Sequence, residues 1–135
     1  MSVVPDRQCI KLVEKEIKGI LESTFKKEYP FLGSILAYHF GWGDKNAGSG
    51  KKIRPRLLLL TCATLGGDWE KAIDAGIAIE LIHNFSIVHD DIQDQSELRH
   101  GRKSTWKKYG IAQAINTGDA LLVCAFQAAG RLKKN

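Results

Sequence analysis

Glu80-Leu81-Ile82-His83-Asn84-Phe85-Ser86-Ile87-Val88-His89-Asp90-Asp91-Ile92-Gln93-Asp94 decides how the rest of the chain reads. Three carboxylates, Asp90, Asp91 and Asp94, close a long apolar run. On a helix of about 3.6 residues per turn, Asp90 and Asp94 stack one above the other and Asp91 is offset by one step. The same wheel places His83 within roughly 100° of arc of the three, with Glu80 and Asn84 beside it. From Ala72 to Val88 the run is apolar nearly all round, which predicts a buried central helix over 69–94 with Asp68 as its N-cap. A polar stripe on a buried helix must face something polar, because burial without partners is costly. A water-filled cavity meets that need. The carboxylates repel one another, no cation lies within a turn before them, and His89 is mostly neutral at pH 7. A hard divalent cation is the natural counterion: Mg²⁺ takes one or two carboxylates, keeps waters and completes its shell with phosphate oxygens. A bare Asp-Asp-x-x-Asp is as often a solvated acidic helix end. His83 alone is more often a hydrogen-bonded core histidine. The flanking sequence therefore has to decide.

Outward from this helix the chain reads as more helices. Ile10, Val13, Ile17, Ile20 and Leu21 follow the three-to-four spacing of an amphipathic helix over 6–27, interrupted at Tyr29-Pro30. A shorter helix is expected over 31–40. Residues 41–52 carry Gly41, Gly43, Gly48 and Gly50 and read as a loop. Arg54-Pro55 opens a helix that runs through Leu57–Leu65 and stops at Gly66-Gly67. Residues 95–103 read as a basic loop, 104–109 as a turn of helix at most, and 111–132 as a long helix rich in Ala and Leu. No strand alternation and no internal repeat is visible. The class is all-α, with about five main helices.

Composition excludes several alternatives. The 44% apolar and 26% charged fractions of these 135 residues describe an ordinary globular balance, so disorder is not the default. Cys9, Cys62 and Cys124 are far apart, without zinc spacing, and read as buried thiols in a reducing compartment. No run of about eighteen apolar residues and no apolar leader is present, so a cytoplasmic chain without stable membrane insertion is expected. The net charge of +5 is clustered: Lys51, Lys52, Arg54 and Arg56; Arg99, Arg102, Lys103, Lys107 and Lys108; Arg131, Lys133 and Lys134. Such clusters point to anionic partners, either phosphate metabolites or nucleic acid. Nucleic acid is the poorer choice, because the cations lie in loops near carboxylates and no basic recognition helix is evident.

Gly50-Lys51-Lys52-Ile53-Arg54-Pro55 delivers cations on a glycine-bearing loop to the start of a helix, whose amides and dipole add positive potential. That suits a diphosphate. It is not a P-loop: Lys45 stands five before Gly50, Lys52 stands where Ser or Thr is required, and no strand precedes it. Arg99-His100-Gly101-Arg102-Lys103 follows the carboxylates closely, and a guanidinium there could pair with the same diphosphate.

Taken together, these segments resemble the trans-isoprenyl diphosphate synthase (polyprenyl synthase) family. The resemblance rests on Gly50-Lys51…Arg54-Pro55, Glu80-Leu81-Ile82-His83, His89 to Asp94, Leu98-Arg99-His100-Gly101 and Gly118-Asp119-Ala120-Leu121-Leu122, in the family's order and spacing over about residues 45–130. The Asp-rich motif also occurs in terpene cyclases; the Gly-Lys-x-x-Arg-Pro segment, which serves isopentenyl diphosphate in the family, separates the two. The resemblance implies an antiparallel helical bundle of the isoprenoid synthase type, here incomplete. Residues 1–135 would be the N-terminal portion of such a domain, 6–44 giving the N-terminal helices and 45–135 the substrate-binding helices.

The implied function is a Mg²⁺-dependent prenyltransferase of geranylgeranyl or farnesyl type, condensing isopentenyl diphosphate with an allylic diphosphate. Asp90, Asp91 and Asp94 would bind Mg²⁺ bridging the allylic diphosphate, and Arg99 would hold that same diphosphate. Lys51, Arg54 and His83 would hold isopentenyl diphosphate. His100 stands where the family usually has a second arginine, which makes that site weaker and pH-sensitive. Phe85 and Ser86, just before the aspartates, correspond to product-length positions. The family commonly dimerises by helix packing, and helix 111–132 is a candidate surface for a homodimer. Family members are much longer, with a second aspartate-rich motif beyond the equivalent of this chain's end. That puts turnover by this chain alone in doubt and leaves a second expectation open: a noncatalytic homologue that pairs with a full-length synthase.

Overall fold

The computed structural model describes residues 6–48 and 50–132. Lys133 and Lys134 of the last basic cluster lie outside them. Helix α1 spans Asp6–Phe25. Its Cys9, Val13, Ile17 and Leu21 recur every fourth residue and are all buried, which makes one continuous apolar stripe. Helix α2, Pro30–Phe40, starts on a proline whose missing N–H costs nothing in a first turn. It ends at Gly41, which adopts φ +71° and returns its N–H to the carbonyls of Ala37 and Tyr38. Only glycine suits this position, since a Cβ there would run into Ala47 as well as strain the backbone.

Helix α3, Ile53–Thr64, buries Pro55 and Leu59. It stops before Gly66 at φ +82°, with the Gly67 N–H on the Cys62 carbonyl at 2.8 Å. The expected single helix over 69–94 divides in two. Asp68 does cap, its Oδ1 accepting from the Glu70 N–H at 3.2 Å, but it caps a 3-10 turn, Trp69–Ala72. Such tight turns are frequent at helix starts; here it carries the buried Trp69. Helix α4 proper runs Ile73–Gln93.

Helix α4 is the centre of the bundle, packed on α1, α3 and helix α6, Ile111–Gly130. Gly76 lies where α4 meets Pro55 of α3 and Val13 of α1. Gly118 of α6 supplies a notch for the His89 ring, which a Cβ would occupy. The core joins Leu59, Ile77, Leu81 and Val88 to Leu121, Cys124, Ala125 and Ala128. Of the three cysteines, Cys9 and Cys124 are buried and Cys62 is half-buried.

Two expectations need correction. Helix α4 is not enclosed all round: Ile82 is exposed and Phe85, Ser86 and Ile87 are half-buried. The loop after it is not wholly irregular. Strands β1, Leu98–Arg99, and β2, Arg102–Lys103, form a small antiparallel ribbon that pairs Leu98 with Lys103 and Arg99 with Arg102. His100 and Gly101, both at positive φ, make its two-residue turn. Strands of two residues are too short to leave an alternation in the sequence. Residues 104–109 contain one short helix, α5, Thr105–Tyr109. Among the described residues no helix is long and apolar enough to cross a membrane.

Candidate functional site

The loop before α3, the middle of α4 and the β-ribbon enclose one cleft of about 220 Å³. Lys51, Arg54, His83, Arg99 and His100 all line it, so the five residues expected to hold substrate diphosphates do share one wall-to-wall space. The sequence separates them by as much as 49 positions; the bundle brings them together because α3 and α4 cross at Pro55 and Gly76. Arg54 Nη1 donates to His83 Nε2 at 3.1 Å. Burial, then the neighbouring Arg54 charge, lowers the His83 pKa, which keeps the imidazole neutral and able to accept that bond.

Along the wall of the cleft runs a chain of polar contacts, from Lys52 through Glu80 and Asn84 to His39, that the sequence shows only in part. Lys52 Nζ lies 3.3 Å from Glu80 Oε1, the two side chains only 12% and 5% exposed. Asn84 Nδ2 donates to the Glu80 carbonyl at 2.8 Å and to Glu80 Oε1 at 3.2 Å. The Asn84 Oδ1 then accepts from His39 Nε2 at 2.9 Å, and His39 Nδ1 is 3.4 Å from the Thr105 hydroxyl. This is how the polar stripe on α4 is satisfied: Glu80 and Asn84 face α2 and the α3 loop rather than bulk water. Desolvation pushes the His39 pKa down to about 4, so it stays neutral, one nitrogen donating and the other accepting. His39 and Lys52 are the functional residues that sequence reasoning missed. Their signal was weak: a histidine at the end of α2 and the second lysine of a pair.

The three aspartates take two different environments. Asp91 is 4% exposed and is bound by both Arg99 Nε, at 3.3 Å to Oδ2, and Arg99 Nη2 on Oδ1. The hydrogen bonds Arg99 donates to Asp91 raise its pKa further, so the guanidinium is always charged. The counterion missing from the residues before the cluster is therefore supplied five residues beyond its end, by Arg99. Asp90 and Asp94 are exposed, one helical turn apart, with the Asp94 N–H on the Asp90 carbonyl at 2.8 Å. No three His, Cys, Asp or Glu side chains converge as a metal cluster among the described residues. The expected set of three ligands is thus divided here into two open carboxylates and one already paired. Two hard oxygen donors at helical spacing do fit Mg²⁺, which asks for one or two carboxylates.

Neighbouring contacts set the position of Arg99. Ser96 N–H binds the Asp91 carbonyl at 2.9 Å, Trp106 Nε1 binds the Ser96 carbonyl at 2.9 Å, and Ser104 N–H binds the Glu97 carbonyl at 2.8 Å. Arg102, grouped with Arg99 in the sequence, points elsewhere: Nη1 donates to the Tyr38 carbonyl at 3.1 Å and the guanidinium lies over the Tyr38 ring. The Tyr38 hydroxyl in turn binds the Lys103 carbonyl at 2.7 Å. Arg102 and Lys103 thus tie the ribbon to α2, while Arg99 and His100 face the cleft. Phe85 packs edge-on against His89 with ring centroids 4.7 Å apart, and the Ser86 hydroxyl binds the His83 carbonyl at 2.7 Å.

Residues 42–135 match the polyprenyl synthetase family, which covers the cleft, the aspartates and α6. The chain belongs to that family. It is 39% identical over 103 residues to a (2E,6E)-farnesyl diphosphate synthase of Mycobacterium bovis, covering 73% of this chain and 29% of that protein. It is 42% identical over 126 residues to a geranylgeranyl pyrophosphate synthase of Geoglobus acetivorans, covering 93% of this chain and 36% of that protein. Among solved structures, a geranylgeranyl pyrophosphate synthetase from Pyrococcus horikoshii superposes with a TM-score of 0.83 at 33% identity, over 96% of this chain and 37% of that one. The all-α bundle is that of these synthases. The chain spans about a third of the length of the relatives it matches.

Proposed function

We propose that this polyprenyl synthetase chain carries the diphosphate- and Mg²⁺-binding part of a prenyltransferase that joins isopentenyl diphosphate to an allylic diphosphate, of geranylgeranyl or farnesyl type. The observation that carries the reading is the meeting of Lys51, Arg54, His83, Arg99 and His100 around one cleft, with the acidic end of α4 attached to it through Arg99. Lys51, Arg54, His83 and His100 hold the isopentenyl diphosphate; a neutral His83 accepts from Arg54 and so aims that guanidinium. Arg99, oriented by Asp91, meets the allylic diphosphate. Asp90 and Asp94 would hold Mg²⁺, and Asp91 acts on the allylic diphosphate through Arg99. When bound, Mg²⁺ supplies positive charge to the departing diphosphate. The cationic side chains act in the same sense, because they are fixed before charge develops. The reaction is assigned to the cytoplasm, and Phe85 and Ser86 to the control of product length.

The test is calorimetric binding of a nonhydrolysable allylic diphosphate analogue with and without Mg²⁺. Mg²⁺-dependent binding that is lost in Asp90→Ala is expected; Mg²⁺-independent binding unaffected by Asp90→Ala would remove the metal from the reading.

A second reading is favoured by the outer face of α6, where Ile111, Ile115, Val123 and Phe126 are exposed, Phe126 to 68%. These apolar side chains flank the exposed Asp119 on one face of the helix, a pattern that suits packing against another helix. The chain would then serve as a helical partner, in a homodimer or beside a full-length synthase. Aspartate substitutions that leave a partner's activity intact, while Phe126→Glu abolishes association, would favour it.

A further inference from the structure

We infer that Lys52 and Glu80 form a positioning pair that fixes the anion-binding loop, without either side chain serving as a diphosphate ligand. The inference rests on the diphosphate reading above. Lys52 is the N-cap of α3 and sits in the left-handed region, φ +46° and ψ +42°, with no side-chain cap bond. Few residues without glycine's freedom hold that conformation unless the surroundings impose it. The surroundings here are specific. The ammonium is drawn inward to Glu80, and its side chain is almost as buried as the carboxylate it meets. Two charges removed from water persist only where further hydrogen bonds complete them. Asn84 provides one to the Glu80 Oε1, and His39 holds Asn84 in turn.

The consequence for the cleft follows from chain geometry. Lys51 immediately precedes Lys52 and Arg54 follows it by two, and both of these side chains are exposed. Their starting points are therefore set by a residue pinned to α4, the helix that carries His83. Lys52 and Glu80 cancel in charge, so the pair adds no net attraction for an anion. What it adds is a fixed distance between the α3 loop and α4.

This separates two accounts by the sign of one effect. If Lys52 were a ligand held in reserve, Glu80→Gln would release it and remove a negative charge from the cleft wall, and an anion would bind more tightly. If the pair positions the loop, Glu80→Gln loosens Lys51 and Arg54, and the anion binds more weakly despite the improved charge. Inorganic diphosphate, titrated calorimetrically into the 135-residue chain, is the probe. Glu80→Gln is expected to weaken binding about three- to tenfold, the size of one ordinary hydrogen bond. With Glu80 intact, Lys52→Arg is expected to keep nearly the wild-type value, and Lys52→Met is not. Unchanged or tighter binding in folded Glu80→Gln overturns the inference. Should circular dichroism show that Glu80→Gln does not fold, amide hydrogen exchange over residues 50–54 in Lys52→Met decides: faster exchange supports the pair and unchanged exchange overturns it. Absence of diphosphate binding in the wild-type chain would defeat the anion-site reading itself, while the exchange measurement would still judge whether the pair holds the loop.

Discussion

The two ends of the candidate site hold their charges in opposite ways. At the α3 end, Lys52, Glu80, Asn84, His39 and Thr105 are linked in series and largely withdrawn from solvent. At the far end of α4, Asp90 and Asp94 stand in solvent and only Asp91 is drawn in, by Arg99. The contrast separates groups that build a site from groups that await what enters it. A buried polar group must be completed by the protein itself, because leaving it unpaired is costly. An exposed carboxylate is completed by water until something better arrives. Arg99 belongs to both ends: it lines the cleft and completes Asp91.

The sharpest way to break this contrast is to remove Arg99. Arg99→Met leaves the Asp91 carboxylate buried without its partner, a loss of about 2–3 kcal/mol in unfolding free energy, below that of a fully buried pair because the Arg99 side chain is 41% exposed. Urea denaturation at neutral pH measures it. A cost close to zero would mean that water reaches Asp91 freely, and the distinction between the middle aspartate and its two neighbours would collapse.

The next effect concerns the buried end. The His39 imidazole in the unfolded chain takes up a proton near its ordinary pKa of 6.5, and in the folded chain only near about 4. Between those values the unfolded state binds more protons, so stability rises with pH there. The contribution is complete above 6.5 and is lost as pH falls toward 4, by about 2–3 kcal/mol. The Asn84 hydrogen bond and then Asp91 oppose the shift, while Lys52 and Arg102 add to the burial that causes it. His39→Gln keeps an amide donor for Asn84 and removes the titration. Melting temperatures from pH 7.5 to 4.5 should therefore fall more steeply in the wild type than in His39→Gln. His83, also lowered, is present in both chains and cancels in the difference. Parallel curves would show that His39 is solvated and that the buried series is not closed at its α2 end.

How much of this was legible in the sequence follows the same division. Periodicity gave the helices because apolar stripes such as Cys9, Val13, Ile17 and Leu21 leave a regular mark. Exposed and cleft-lining groups were legible because they sit in short linear motifs: Lys51 and Arg54, His83, the aspartates, Arg99 and His100. The pairings were not. Nothing local says that Asp91 rather than Asp90 turns inward, because that depends on where the ribbon after α4 delivers Arg99. Arg102 and Lys103 looked equivalent to Arg99, yet Arg102, directly opposite Arg99 in the ribbon, reaches the Tyr38 carbonyl of α2 instead. His39 and Lys52 meet the α4 stripe through contacts spanning 45 and 28 positions, a relation that only the packing of α2, α3 and α4 defines. The helix wheel did expose the need, since Glu80 and Asn84 on a buried face demanded partners.

The smallest expected change in stability makes the strongest test of function. Asp90→Asn and Asp94→Asn each remove a charge from an exposed side chain at the C-terminal end of α4, where the helix dipole already disfavours negative charge. Two carboxylates one turn apart also repel each other. Each substitution should therefore leave unfolding free energy unchanged or slightly raised, within about 0.5 kcal/mol. Asp91→Asn, by contrast, should lower it, because Arg99 loses its buried anion. If Asp90 and Asp94 are kept for Mg²⁺, the neutral-to-favourable stability effect must come with loss of Mg²⁺-dependent protection: with diphosphate already present, added Mg²⁺ should raise the melting temperature of the wild type further and of neither variant. Ligand binding to the folded state alone produces such a rise by mass action. An equal rise in all three chains would put the cation elsewhere, and the exposed pair would then be no more than a solvated helix end.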